Sequence, residues 1–217
     1  MQPPQLHPLG DRALLCSLPA PATLPQQQRI WALATLASEW EEVSEVVPGM
    51  NNLTLITKRP VADLDILTQR VLKSWPKLGS TASEGRTVEI PVVYGGSAGP
   101  DLDNVARHTG LSTSEVIERH SQAEYVVYFL GFLPGFAYMG GLDASLATPR
   151  HTTPRVSIPA GSVGIGGEQT GIYPMASPGG WQLIGRTALQ LFDPSQQPPT
   201  LLRPGDRVRF TVERVAS

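Results

Sequence analysis

EYVVYFLGFLPGFAYMGGL, residues 124–142, and VSIPAGSVGIGGEQTGIYPMASPGGWQLIGRT, residues 156–187, bound the segment on which the architecture of this chain turns. More than half of the chain's 21 glycines fall between Gly131 and Gly185. The charges from residue 124 to 186 are few: Glu124, Asp143, Arg150, Arg155, Glu168 and Arg186. Glycines at this density serve turns with positive φ and close backbone approaches, and they weaken helices. Short apolar runs such as Val126 to Leu130 and Trp181 to Ile184, punctuated by Gly and Pro, read as buried strands joined by tight turns. A closed or nearly closed β barrel is the expected product.

At 217 residues the chain can bury roughly 70% of its unfolded surface, so no covalent staple is needed. Its one cysteine, Cys16, allows no intrachain disulfide and suits a reducing compartment, so cytoplasm is the expected location. The start, MQPPQLHPLGD, lacks the basic and apolar regions of a signal peptide. Residues 125–142 carry no charge, yet Pro134 and the glycines would leave a spanning helix with backbone groups that lipid cannot satisfy. No membrane span is expected. The net charge of −2 is spread evenly, and without clustered Lys and Arg no nucleic acid partner is expected. Lysines occur only at Lys58, Lys73 and Lys77. A P-loop or Schiff-base lysine is therefore absent from the carboxy-terminal portion.

Ahead of the glycine-rich segment, Ala13 to Leu18 reads as a strand. Thr23 and Gln26 form a capping box, with Pro25 in the first turn, and the helix it starts shows Ile30, Leu33, Ala34 and Ala37 on one face. Val43 to Val47 and Leu53 to Thr57 read as a hairpin turning through Pro48, Gly49 and two asparagines. Asp63 is placed to cap a second helix whose stripe is Leu64, Leu67, Val71 and Trp75. This order describes a small α+β domain, residues 1–83, closed by the linker PKLGSTASEGR. From residue 84 a strand from Thr87 to Tyr94 precedes two short helices. Asp101 is expected to cap the first, and Ser112 with Glu115 forms the capping box of the second. Near the end, a Pro-Gly-Asp turn leads into a half-buried strand through Val208, Phe210 and Val212.

Several motifs dissolve on inspection. GGSAG, residues 95–99, fits the GxSxG nucleophile pattern. Its partners would have to be Asp143 and His151, only eight residues apart, in a chain lacking the alternating parallel sheet of such hydrolases. A flexible loop leading to a helix is the better reading of Ser97. GSVGIGGEQTG lacks the third glycine and the following helix of a phosphate loop, and tight β turns explain it. DLDN, residues 101–104, lacks the glycine and distal glutamate of a calcium loop. His7, His108, His120 and His151 share no metal spacing, so no metal bound by this chain is expected. What remains is a sparse polar set in an apolar sheet: His120, Glu124, Arg150, Arg155, Glu168 and Gln169. Such groups are paired, exposed, or kept for a ligand. Tyr173 and Trp181 read as core or rim aromatics.

GFLPGFAYMGGL, TPR, PRVSIPAGSVGIGGEQTGIYP and SPGGWQLIGRT closely resemble the 5-oxoprolinase B-subunit family, which includes the Kip inhibitor of a sporulation histidine kinase and allophanate hydrolase subunit 1 relatives. VPGMNNLTL, YGGSAGPDL and LLRPGDRVRF extend the likeness over nearly the whole chain. The resemblance implies a small α+β amino-terminal domain (1–83) followed by a cyclophilin-like β barrel (84–217), without implying prolyl isomerase activity. It implies a component, inactive alone, of a complex with subunits A and C that opens 5-oxoproline to glutamate using ATP, with Mg2+ entering only at the level of the complex. For such a substrate Arg150 or Arg155 would clamp the carboxylate, Gln169 would pair with the lactam, Tyr173 would join the binding set, and His120 or Glu124 would handle protons. These groups are expected to gather at one concave mouth. The competing expectation is a Kip-type regulator whose barrel surface binds a sensor histidine kinase and blocks its autophosphorylation.

Overall fold

In the computed structural model, which describes residues 2–60, 65–79 and 85–216, the chain divides into two units, Met1–Ser83 and Glu84–Ser217. The first is α+β. Its antiparallel sheet runs β1 (Gln5–Leu9), β2 (Ala13–Ser17), β4 (Asn52–Thr57), β3 (Val43–Gly49) in spatial order. Thr23 opens α1 (Leu24–Ser38) through the reciprocal cap with Gln26 that the sequence predicts. Ile30, Leu33 and Ala37 of α1 are fully buried with Leu14, Cys16, Leu53 and Leu55 of the sheet and with Leu67, Val71 and Trp75 from α2 (Asp65–Ser74) and the turn after it. The predicted cap Asp63 and the stripe residue Leu64 lie outside the described residues. Burial pushes the Cys16 thiol up to about 12, so it packs as a small apolar group. The sequence reading passes over β1, a mostly exposed edge strand containing Pro8.

The second unit is a closed barrel with two helices. Its elements are β5 (Thr87–Gly95), α3 (Leu102–Thr109), α4 (Thr113–Gln122), β6 (Tyr125–Leu130), β7 (Ala137–Gly140), β8 (Arg155–Ile158), β9 (Ser162–Gly166), β10 (Gln169–Ile172), β11 (Ser177–Gly179), β12 (Gln182–Arg186) and β13 (Arg207–Ala216). Around the barrel the order is β10, β7, β6, β13, β5, β12, β9, with β9 paired to β10 to complete the ring. Strands β8 and β11 form a separate two-stranded ribbon. The pair β5 and β13 is parallel, and the other ring pairs are antiparallel. Side chains alternate along each strand, sending Ile90, Val92, Tyr94, Val163, Ile165, Ile172, Val208 and Phe210 to a common core. Residues 125–142 thus form two strands joined by a turn. Among the described residues no helix is long and apolar enough to cross a membrane.

Candidate functional site

Asp101 sits at the entrance to α3, but its side chain makes no cap hydrogen bond, which corrects the expected capping role. The reason is a stronger competitor. Gly99 lies against the backbone carbonyl of Ile184, where a Cβ would collide, and this approach lets the Asp101 N–H donate to the Leu183 carbonyl at 2.8 Å. In return the Leu183 N–H donates to Asp101 Oδ2 at 2.7 Å. Arg155 Nη2 donates to Asp101 Oδ1 at 2.7 Å, and His151 Nε2 lies 3.3 Å from Oδ2 without the alignment of a hydrogen bond. Burial by itself would raise the Asp101 carboxyl, but the bonds from Arg155 and the Leu183 amide, with the Arg155 charge, outweigh it and hold the group below the usual carboxylate range. The GGSAG turn therefore serves a close backbone approach, and the carboxylate it delivers organises an arginine and an imidazole.

Beside this cluster lies an aromatic layer on the outer face of the barrel. Gly164, Gly166 and Gly171 alternate with inward residues of β9 and β10; a Cβ on Gly166 would come within 2.5 Å of the Trp181 ring, and one on Gly164 or Gly171 would press on Trp181 at 3.2 or 3.1 Å. Their lack of side chains makes room for the indole. Phe136 contacts Trp181, Tyr173 and Tyr138 with ring centroids 5.5, 5.3 and 4.9 Å apart. The Arg150 guanidinium stands 5.6 Å from the Trp181 ring centroid, and among the described residues it has no carboxylate partner. Phe132 is 60% exposed, meets Phe136 edge-on, and holds φ at 64°, a left-handed conformation that is unusual for a bulky residue.

Four of the six candidates share this face. Arg150 and Arg155 flank it, Tyr173 is enclosed within it, and Gln169 lies on the outer side of β10 because its neighbour Thr170 points inward. The other two lie elsewhere, so the expectation of a single mouth is corrected. Glu124 is on the surface, accepting from Arg207 Nη1 at 3.0 Å and Arg209 Nη2 at 3.1 Å. His120 reaches from α4 into the barrel, fully buried. Its Nδ1 is 2.8 Å from the Tyr94 hydroxyl and its Nε2 is 2.9 Å from Thr170 Oγ1. Thr170 donates its own proton to the Gly164 carbonyl at 3.0 Å. The bonds then run one way: Tyr94 donates to Nδ1, and Nε2–H donates to Thr170. Burial pushes the imidazole down to about 3, so it is neutral and fully engaged.

Sequence reasoning missed Asp101 and His151 as site residues. The signal available was their setting, a carboxylate after a glycine turn and an imidazole between Arg150 and Arg155. The arrangement offers an anchored arginine with Nη1 buried and unpartnered, an unpaired arginine above an indole, and an imidazole with 29% of its side chain exposed. That set suits a small molecule carrying a carboxylate.

Residues 4–202 match the family described as carboxyltransferase domain, subdomain C and D. The chain is 51% identical to a 5-oxoprolinase B-subunit from Escherichia coli O157:H7 over 214 residues, 99% of this chain and 98% of that one. It is 50% identical to the protein of the same name from Haemophilus influenzae, across 96% of this chain and 97% of that one. Among solved structures, TTHA0988 superposes with a TM-score of 0.76 at 37% identity. The match covers 95% of this chain but 40% of that longer one.

Proposed function

Since the chain belongs to the carboxyltransferase domain, subdomain C and D, family and to its 5-oxoprolinase B-subunit members, we propose that it is one component of an ATP-dependent enzyme that opens 5-oxoproline to L-glutamate with subunits A and C. The observation that carries the proposal to particular residues is Arg155, fixed by the buried Asp101 and retaining an unpartnered Nη1. In this reading Arg155, with Arg150 beside it, holds the substrate carboxylate, and Gln169 pairs with the lactam amide. Tyr173 supports the floor from within. His151 replaces His120 and Glu124 as the group that moves protons, because His120 is sealed in the core and Glu124 is committed to two arginines.

A lactam is a poor electrophile. Transfer of the terminal phosphoryl group of ATP to its carbonyl oxygen, with ADP released, makes the ring carbon electrophilic; water adds there, the ring C–N bond breaks as the nitrogen takes a proton, and a second water hydrolyses the resulting acyl phosphate to the side-chain carboxylate and phosphate, with stabilisation of the developing charge carrying most of the rate gain. Without a lysine beyond Lys77, the phosphates fall to arginine or to another component of the complex. The test is 5-oxoproline-dependent ATP hydrolysis by the reconstituted complex, with and without this chain. Dependence on the chain, and its loss in Arg155→Ala although the variant still folds and melts cooperatively, is the expected result. Hydrolysis that proceeds equally without the chain, together with inhibition of a sensor histidine kinase, would instead favour the Kip-type regulator, for which the exposed Phe132 offers a docking point.

A further inference from the structure

Away from Arg155, a cleft of about 720 Å3 opens on the outer wall over Val93, with Arg186, Arg214, Glu213 and Ser97 among its lining. Its size falls in the range of small-molecule sites. Val92 and Tyr94 point into the core, so Val93 faces outward. Its cross-strand partner on β12 is Arg186, and its partner on β13 is Arg214. The two arginines thus stand in one row on either side of an apolar residue, with backbones about 10 Å apart, two strand spacings. Side chains of this length reach a common point between them.

Both positions lie beside irregularities. On β13 the register shifts between Val212 and Arg214, leaving Glu213 as the extra residue. Without that shift, Glu213 would face Val93. On β12 a second shift, in its pairing with β9 between Leu183 and Gly185, lies just before Arg186. Bulges cost ladder hydrogen bonds, and they recur where a strand must re-aim a side chain. Arg186 is further held by its Nε–H, which donates to the Ala160 carbonyl at 2.9 Å, leaving both terminal nitrogens for a fork-like contact. Among the described residues neither arginine has an ion-pair partner, and Glu213, exposed in the same cleft, pairs with neither. Two like charges in a row with no local carboxylate on them are mutually unfavourable until an anion arrives.

We propose that this cleft is a binding site for a small organic anion, a phosphate or carboxylate group gripped between Arg186 and Arg214, whose apolar body lies against Met175, Leu189 and Phe192. The site is separate from the Asp101 and Arg155 cluster, and it stands whether or not the chain acts on 5-oxoproline. The test is a titration of the full 15N-labelled chain, read from backbone amide shifts, with inorganic phosphate, adenosine diphosphate, L-glutamate and, as a neutral control, adenosine. At least one anion should give saturable shifts at Val93, Ser97, Gly161 and Arg186 while adenosine gives none. Whether the phosphate-headed or the carboxylate-headed probes saturate identifies the head group. Arg186→Gln and Arg214→Gln should each weaken binding about tenfold or more, whereas Glu213→Gln should tighten it by removing a like charge. All three side chains are exposed, and circular dichroism checks the fold of each variant. If none of the three anions shifts these amides, or if the arginine variants bind as the wild type does, the proposal fails.

Discussion

His120 is held by bonds that run in one direction, from the Tyr94 hydroxyl through both ring nitrogens to Thr170 and the Gly164 carbonyl. Replacing Thr170 by Val keeps the shape and orphans the Nε2 proton. We expect a loss of about 1–3 kcal/mol in urea unfolding. The same burial makes stability depend on pH. The imidazole has an ordinary value of 6.5 and is lowered to about 3 in the folded chain, so the unfolded chain takes up the proton first as pH falls. The His120 contribution is complete above 6.5 and declines as pH drops toward 3, by about 1.4 kcal/mol per unit. Unfolding curves at pH 7 and 5 should show the decline, and His120→Gln should flatten it. Asp101 acts in a more acid window, because a depressed carboxylate stabilises above its ordinary range and loses that contribution as pH falls through its folded value. Asp101→Asn should free Arg155 and lower turnover of the reconstituted complex, at a cost of about 1–3 kcal/mol in stability. At this scale the sequence showed which polar residues were scarce but not where each points. His120 meets Tyr94 and Thr170, which lie 26 and 50 positions away, and an aspartate before a helix reads as a cap until its carboxylate finds Arg155.

Strands and helices were far more legible. Capping boxes at Thr23 and Ser112 begin α1 and α4 where the spacing puts them, because those signals are local. The turn between β9 and β10 was equally readable, since Gly167 holds φ at 67° and few other residues accept that value. What escaped was β1, whose short, mostly exposed QLHPL carries a proline and places only Leu6 against the core. The glycines of β9 illustrate what composition alone leaves open. They read as turn residues, yet Gly164 and Gly166 lie within a strand, and their purpose is the indole of Trp181 above them. A Cβ at Gly166 would come within 2.5 Å of that ring. Gly166→Ala should therefore displace Trp181 and cost about 1–3 kcal/mol, measured as a lowered urea midpoint, with weaker substrate binding in the complex.

For the molecule as a whole, glycine density and short apolar runs were enough to indicate a barrel, but they carried no register. The parallel pairing of β5 with β13 could not be read, because both strands are half apolar and nothing local ties residues 87–95 to residues 207–216. Contacts of such separation slow folding. A chain ending at residue 206 should lose the barrel's amide dispersion and cooperative melting, since β5 and β6 would each lack the neighbour between them. The position of β13 also bears on synthesis. A ribosome delivers the chain from its amino end, and the first unit can gather its whole sheet from early residues, whereas the cylinder waits for its final staves. Until β13 emerges, β5 and β6 present open edges in the crowded cell, and a chaperone that shields such edges would be needed most in that interval.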